Sequence, residues 1–135
     1  MNSASSSNSN SITVANSTVL LIENDRNVSA ALNDILSESG LRVLLAYDGL
    51  EGEELYRAYQ DDIEMVILDW HLPRQDGRDT LRKIRQLNPN VNVMVASGYA
   101  PEEVLTQLDD QRPITFLSKP FNIDKFLDKV HQLLA

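Results

Sequence analysis

From Thr18 onward, short apolar runs alternate with stretches whose apolar residues recur at helical spacing, and the alternation repeats five times. The strand-like runs are Thr18–Ile22 (TVLLI), Arg42–Ala46 (RVLLA), Glu64–Leu68 (EMVIL), Val91–Ala96 (VNVMVA) and Ile114–Leu117 (ITFL). Between them the period changes from that of a strand to that of a helix. Val28, Ala31, Leu32, Ile35 and Leu36 mark a first helix, stopped at Gly40. Leu50–Tyr59 forms a second, with Leu55, Ala58 and Tyr59 on one side. Leu81, Ile84 and Leu87 mark a third, ended by Asn88-Pro89. Pro101 suits the first turn of a fourth that carries Val104, Leu105 and Leu108. Asn122 can cap a fifth, with Ile123, Phe126, Leu127, Val130, Leu133 and Leu134 on one stripe. Such alternation predicts an α/β fold, a parallel sheet with helices on both faces. Near-continuous apolar strands such as VLLI and MVIL agree, because both faces of such a sheet are buried.

The 135 residues suit one domain, and 42% hydrophobic content is enough for its core. Residues 1–17 are mostly Ser and Asn, too poor in large apolar groups to offset the entropy of ordering. They read as a flexible linker or tail, an expression leftover being the alternative, and residues 18–135 as the domain. There is no cysteine, which excludes disulfides and thiolate metal sites. No apolar run approaches the roughly 20 residues needed to span a membrane, and no signal peptide is visible. A cytoplasmic protein without membrane contact is expected. A net charge of −8, from 20 acids and 12 bases, disfavours nucleic acid as a partner.

In open α/β sheets, ligands bind beyond the carboxyl ends of the strands. Strand 1 runs out into Glu23-Asn24-Asp25, strand 3 into Asp69, strand 4 into Ser97-Gly98, and strand 5 into Ser118-Lys119-Pro120. Asp69 ends the run Met65-Val66-Ile67-Leu68, and as an isolated acid it can be a nucleophile, a metal ligand or a surface group. The company it keeps suits phosphoryl transfer. A carboxylate can attack phosphorus, and hard oxygen ligands can hold Mg²⁺. A lysine can neutralise a phosphoryl oxygen, and a hydroxyl can bond to another.

These residues resemble the receiver domain of two-component response regulators. The resemblance covers roughly residues 18–135. It rests on Glu23-Asn24-Asp25, on Leu68-Asp69 followed by Pro73 and Asp76-Gly77, on Ala96-Ser97-Gly98-Tyr99-Ala100, and on Leu117-Ser118-Lys119-Pro120-Phe121. It implies a flavodoxin-like, doubly wound sheet in the order 2-1-3-4-5. It implies that Asp69 accepts a phosphoryl group from a histidine kinase or a histidine phosphotransfer protein, with Mg²⁺ as cofactor. The metal position would use Glu23, Asn24, Asp69 and the backbone carbonyl of His71. Ser97 would be the switch hydroxyl, Lys119 the phosphate-binding lysine and Phe116 the switch aromatic. His71 and Tyr99 would tune access of water to the acyl phosphate. The face made by helix 4, strand 5 and helix 5 would serve partners or a homodimer. Such a domain is not an enzyme beyond its own phosphotransfer and dephosphorylation. With no output domain expected after helix 5, it would stand alone or close a hybrid sensor histidine kinase.

Asn24 departs from the pattern, which has two acids at Glu23-Asn24. The amide offers a carbonyl oxygen in place of a carboxylate, so Mg²⁺ is expected to bind more weakly by roughly 1–3 kcal/mol, the scale of one charge-assisted contact. The alternative is therefore a pseudo-receiver acting by protein contact without efficient phosphorylation. Asp25 is expected to cap helix 1, Trp70 to pack, and His131 to face solvent. An enzyme on the same fold is disfavoured. No Ser/Thr/Gly-rich loop follows strand 1, and His71 stands where an aspartate-nucleophile hydrolase has its second aspartate.

Overall fold

The computed structural model describes residues 16–108 and 112–135. The elements follow in the order β1 (Thr18–Ile22), α1 (Arg26–Glu38), β2 (Arg42–Ala46), α2 (Gly49–Tyr59), β3 (Ile63–Asp69), α3 (Gly77–Leu87), β4 (Asn92–Ser97), α4 (Pro101–Leu105), β5 (Thr115–Ser118) and α5 (Ile123–Leu134). The strands form one sheet in the order β2-β1-β3-β4-β5, and every pairing is parallel. The parallel sheet is the one the alternation predicts, and its doubly wound, flavodoxin-like order is the one the resemblance implies. The expected tail at 1–17 lies almost wholly outside the described residues. Among those described, no helix is long and apolar enough to cross a membrane.

Strand side chains alternate between faces, and the core divides accordingly. Leu20, Ile22, Val66, Leu68, Val93 and Val95 pack with Tyr56, Leu81, Ile84 and Val104 of α2, α3 and α4. Val19, Leu21, Met65, Ile67, Met94 and Ala96 pack with Leu32, Leu36, Phe126 and Val130 of α1 and α5. A register shift at Thr18/Val19 leaves Glu64 without a partner on β1, and Glu64 is exposed.

Local signals place the helix starts. Asp25 accepts from the amides of Asn27 and Val28 at 2.9 and 3.1 Å, so it caps α1 as expected. Asp76 caps α3 and Asn122 caps α5, and Pro101 opens α4. Gly40 follows α1 with φ 86°, which favours glycine.

Several expected helix stripes are rotated. In α2 the buried residues are Gly49, Gly52 and Tyr56, whereas Ala58 and Tyr59 are exposed and Leu55 is half-buried. Glycines carry no hydropathy, so periodicity alone selected the wrong side. In α1, Val28 and Ala31 are exposed, and Ser29, Leu32 and Leu36 form the inner stripe. α4 ends at Leu105, so Leu108 lies beyond it. Only Val104 is buried there, and Leu105 is exposed. Ile123 is exposed at the start of α5.

Candidate functional site

Strand order reverses between β1 and β3, and the crevice above that point collects the polar strand ends. Strand phase explains which side chains meet. Glu23 is in phase with Val19 and Leu21, Asp69 with Met65 and Ile67, and Lys119 with Leu117. All three therefore emerge toward the α1/α5 side. The ammonium of Lys119 lies 3.2 Å from Asp69 Oδ1 and 3.8 Å from Glu23 Oε1. Both acids are buried, at 5% exposure for Glu23 and 6% for Asp69.

Two buried carboxylates thus share one cation. Burial pushes the Glu23 carboxyl above its ordinary range. The charge of Asp69 adds to the rise, while the Asp25 amide at 3.0 Å from Oε2 and Lys119 oppose it. The group carries one negative charge more than Lys119 can neutralise. Among the described residues no three His, Cys, Asp or Glu side chains form a metal cage. A pair of carboxylates is nonetheless what Mg²⁺ takes from a protein, because it keeps several waters and prefers oxygen. Asn24, next to Glu23, adds a hard carbonyl donor at an exposed position. The donor set fits Mg²⁺.

Ser97 and Phe116 are on the other sheet face. Asp69 pairs with Ala96, which places Ser97 one step further out, and Ser97 pairs with Ser118. Ser97 is fully buried, and its Oγ accepts from the Tyr99 amide at 2.9 Å. The hydroxyl keeps its proton for another acceptor. Phe116, in register with Val95, is half-buried against the α2/α3/α4 side of the core. The Lys119 amide donates to the Ser97 carbonyl at 2.8 Å, tying the exit of β5 to the end of β4. The Lys119-Pro120 bond is cis.

Two rings meet just beyond the ends of β3 and β4. His71 and Tyr99 meet edge to face with centroids 4.6 Å apart, and both are exposed. The His71 amide donates to Asp69 Oδ1 at 3.2 Å, turning the chain sharply over the acid. Trp70 is 4% exposed and packs as expected. Its backbone N donates to Ala96 at 3.0 Å, its carbonyl accepts from Gly77 at 3.1 Å, and its indole N donates to Gln107 at 3.3 Å. His131 is exposed. Sequence reasoning missed Gln107 and the contacts of Arg74 and Gln75 described below. A glutamine after a short helix carries no periodic signal.

Comparison with known proteins agrees with this fold. The profile of the response regulator receiver domain matches residues 19–131. Sporulation initiation phosphotransferase F of Bacillus subtilis is 24% identical over 88% of this chain and 94% of its own length. The transcriptional regulatory protein CpxR of Escherichia coli is 30% identical over 86% of this chain, but over only 48% of its own. The sensor kinase CckA of Brucella abortus is 29% identical over 87% of this chain and 12% of that protein. Among solved structures, the receiver domain of the hybrid histidine kinase CckA superposes with a TM-score of 0.73 at 29% identity, covering 87% of this chain and 99% of that one. The CheX–CheY–BeF₃–Mg²⁺ complex of Borrelia burgdorferi gives 0.77 at 25% identity, covering 87% and 89%. The chain belongs to the response regulator receiver domain family.

Proposed function

We propose that this two-component receiver domain takes a phosphoryl group from a phosphohistidine onto Asp69. A carboxylate oxygen of Asp69 attacks phosphorus, the P–O bond forms as the P–N bond breaks, and the electron pair leaves with the imidazole. Lys119 neutralises a phosphoryl oxygen, and Ser97 donates the proton its hydroxyl keeps. Mg²⁺, when bound by Glu23, Asn24, Asp69 and the His71 carbonyl, supplies charge neutralisation at the phosphoryl oxygens. Phe116 shares its sheet face with Ser97, so it would carry a shift of that hydroxyl to the face made by α4, β5 and α5. That face would meet partners or a second copy. His71 and Tyr99 shield the acyl phosphate from water. The donor would be a histidine kinase or a histidine phosphotransfer protein, in the cytoplasm. The likeness to CckA supports a place in a hybrid sensor kinase.

The carrying observation is the pair of buried carboxylates sharing the Lys119 ammonium, with the Lys119 amide bonded to the backbone of Ser97. Incubation with acetyl phosphate and Mg²⁺ should add one phosphoryl group by intact mass, and none to Asp69→Asn. An Asp69→Asn protein that still gained it would sink the assignment. Asn24 favours one other reading, a pseudo-receiver working by contact alone. That reading requires the wild type to stay unmodified at millimolar Mg²⁺ while Asn24→Asp becomes modified.

A further inference from the structure

The segment from Asp69 to α3 is fastened to the start of α2 by a set of contacts that the phosphoacceptor chemistry does not use. Arg74 has φ 68°, a left-handed conformation that side chains disfavour. Around it the Gln75 amide donates to the Pro73 carbonyl at 2.7 Å, an i→i+2 bond of the strained γ-turn kind. Strain of this sort persists only where the surroundings enforce it. Here they do. The Arg74 guanidinium reaches Asp48 Oδ2 at 3.0 Å. The Gln75 side-chain amide donates to the Gly49 carbonyl at 3.2 Å and to Thr80 Oγ at 3.1 Å. A Cβ on Gly49 would run into the Gln75 carbonyl, so only glycine allows this approach. The anchor itself is rigid. Asp48 Oδ1 caps the Glu51 amide at 2.8 Å, and Glu51 returns a carboxylate to the Tyr47 amide at 2.7 Å.

We infer that Arg74 and Gln75 are positioning residues. They hold the segment over Asp69 so that the His71 carbonyl is presented to a divalent cation before the cation arrives. This rests on the metal-dependent reading above. A segment fixed in advance loses less conformational freedom on binding, so its affinity is higher than that of a loose one. The device places no ligand of its own in the site. It acts from the far side of the turn, through α2.

The test is Arg74→Gly in the full chain, with Arg74→Lys and Gln75→Leu beside it. Three quantities are read: melting temperature, amide exchange at His71 and Gln75 without metal, and Mg²⁺ affinity by the fluorescence of Trp70, the only tryptophan. Glycine relieves the left-handed strain while losing an exposed ion pair, so Arg74→Gly should keep its melting temperature within about 2 °C. Its His71 and Gln75 amides should exchange faster, and Mg²⁺ should bind roughly three- to tenfold more weakly, the scale expected for one exposed pair and its coupling. Arg74→Lys should recover most of the affinity. Unchanged Mg²⁺ affinity in both Arg74→Gly and Gln75→Leu would overturn the inference, as would affinity and melting temperature falling together in both. A wild type indifferent to Mg²⁺ would instead remove the metal-dependent reading, and the positioning role with it.

Discussion

Glu23 is the residue at which fold and function conflict. Its carboxylate is buried beside Asp69, and its ionised form is the disfavoured one, chiefly because of desolvation. Removing that charge relieves the metal-free protein, so Glu23→Gln should raise the melting temperature at neutral pH by a few degrees. The same variant should lose the Mg²⁺-induced change in Trp70 fluorescence. A drop in stability would mean that Lys119 already compensates both acids. Asn24→Asp runs the other way. A further carboxylate beside the pair should lower metal-free stability and tighten Mg²⁺ binding by roughly tenfold, the scale of a charge-assisted contact. Calorimetric titration of the two proteins decides it. Glu23, Asp69, Ser97 and Lys119 were legible in the sequence because each closes or follows an apolar strand, and strand phase then dictates which of them meet. The turn at Arg74 was not legible. Nothing in composition marks an arginine held at positive φ, since the constraint comes from Asp48 and Gly49, about 25 positions earlier in the chain.

At the scale of elements, the strands were readable and the helix faces less so. Gly49, Gly52 and Tyr56 fall at i, i+3 and i+7, a proper inner stripe, but two of the three carry no side chain to count. Gly52 lets α2 approach the sheet, since a Cβ there would press on Ile22, and Gly49 lets it approach the Gln75 carbonyl. Gly77 serves α3 similarly. Its Cβ would meet the Trp70 carbonyl oxygen at 2.6 Å, so Gly77→Ala should cost about 1–3 kcal/mol in chemical denaturation, as overpacking does. Tyr56 links the two helices, because its hydroxyl accepts from Asn88 Nδ2 at 3.1 Å. Burial raises its phenol above the ordinary value of 10.0, with Asn88 opposing. Above that ordinary value the unfolded chain loses its proton first, so the native state binds more protons than the unfolded one. Stability therefore falls as pH rises from about 10 toward the folded-state value. Tyr56→Phe should flatten that alkaline limb while costing about 1 kcal/mol at neutral pH for the lost hydrogen bond. An unchanged alkaline limb would assign it to other groups.

Across the whole molecule, the site is a product of the sheet rather than of any local segment. Glu23 leaves β1, Asp69 ends β3 and Lys119 leaves β5, and no unfolded chain brings the three together. Two apolar layers, one on each face, fix the strand order that does so. Mg²⁺ bound by this constellation must therefore bind the native state almost alone, and its affinity becomes folding free energy. At a concentration 100 times the dissociation constant, the gain is about 2.7 kcal/mol. For a domain of this size that corresponds to a rise of about 6–10 °C in melting temperature, and EDTA should reverse it. The increments should order the variants by site chemistry. Asn24→Asp gains more than the wild type at equal Mg²⁺, Asp69→Asn gains less, and Gly77→Ala starts from a lower baseline yet gains if its turn is intact. Ca²⁺, larger and content with seven or eight oxygens, should give a smaller increment than Mg²⁺, because so few protein donors suit an ion that keeps its waters. Equal increments for all these variants would mean that the stabilisation comes from general ionic screening and not from the strand ends.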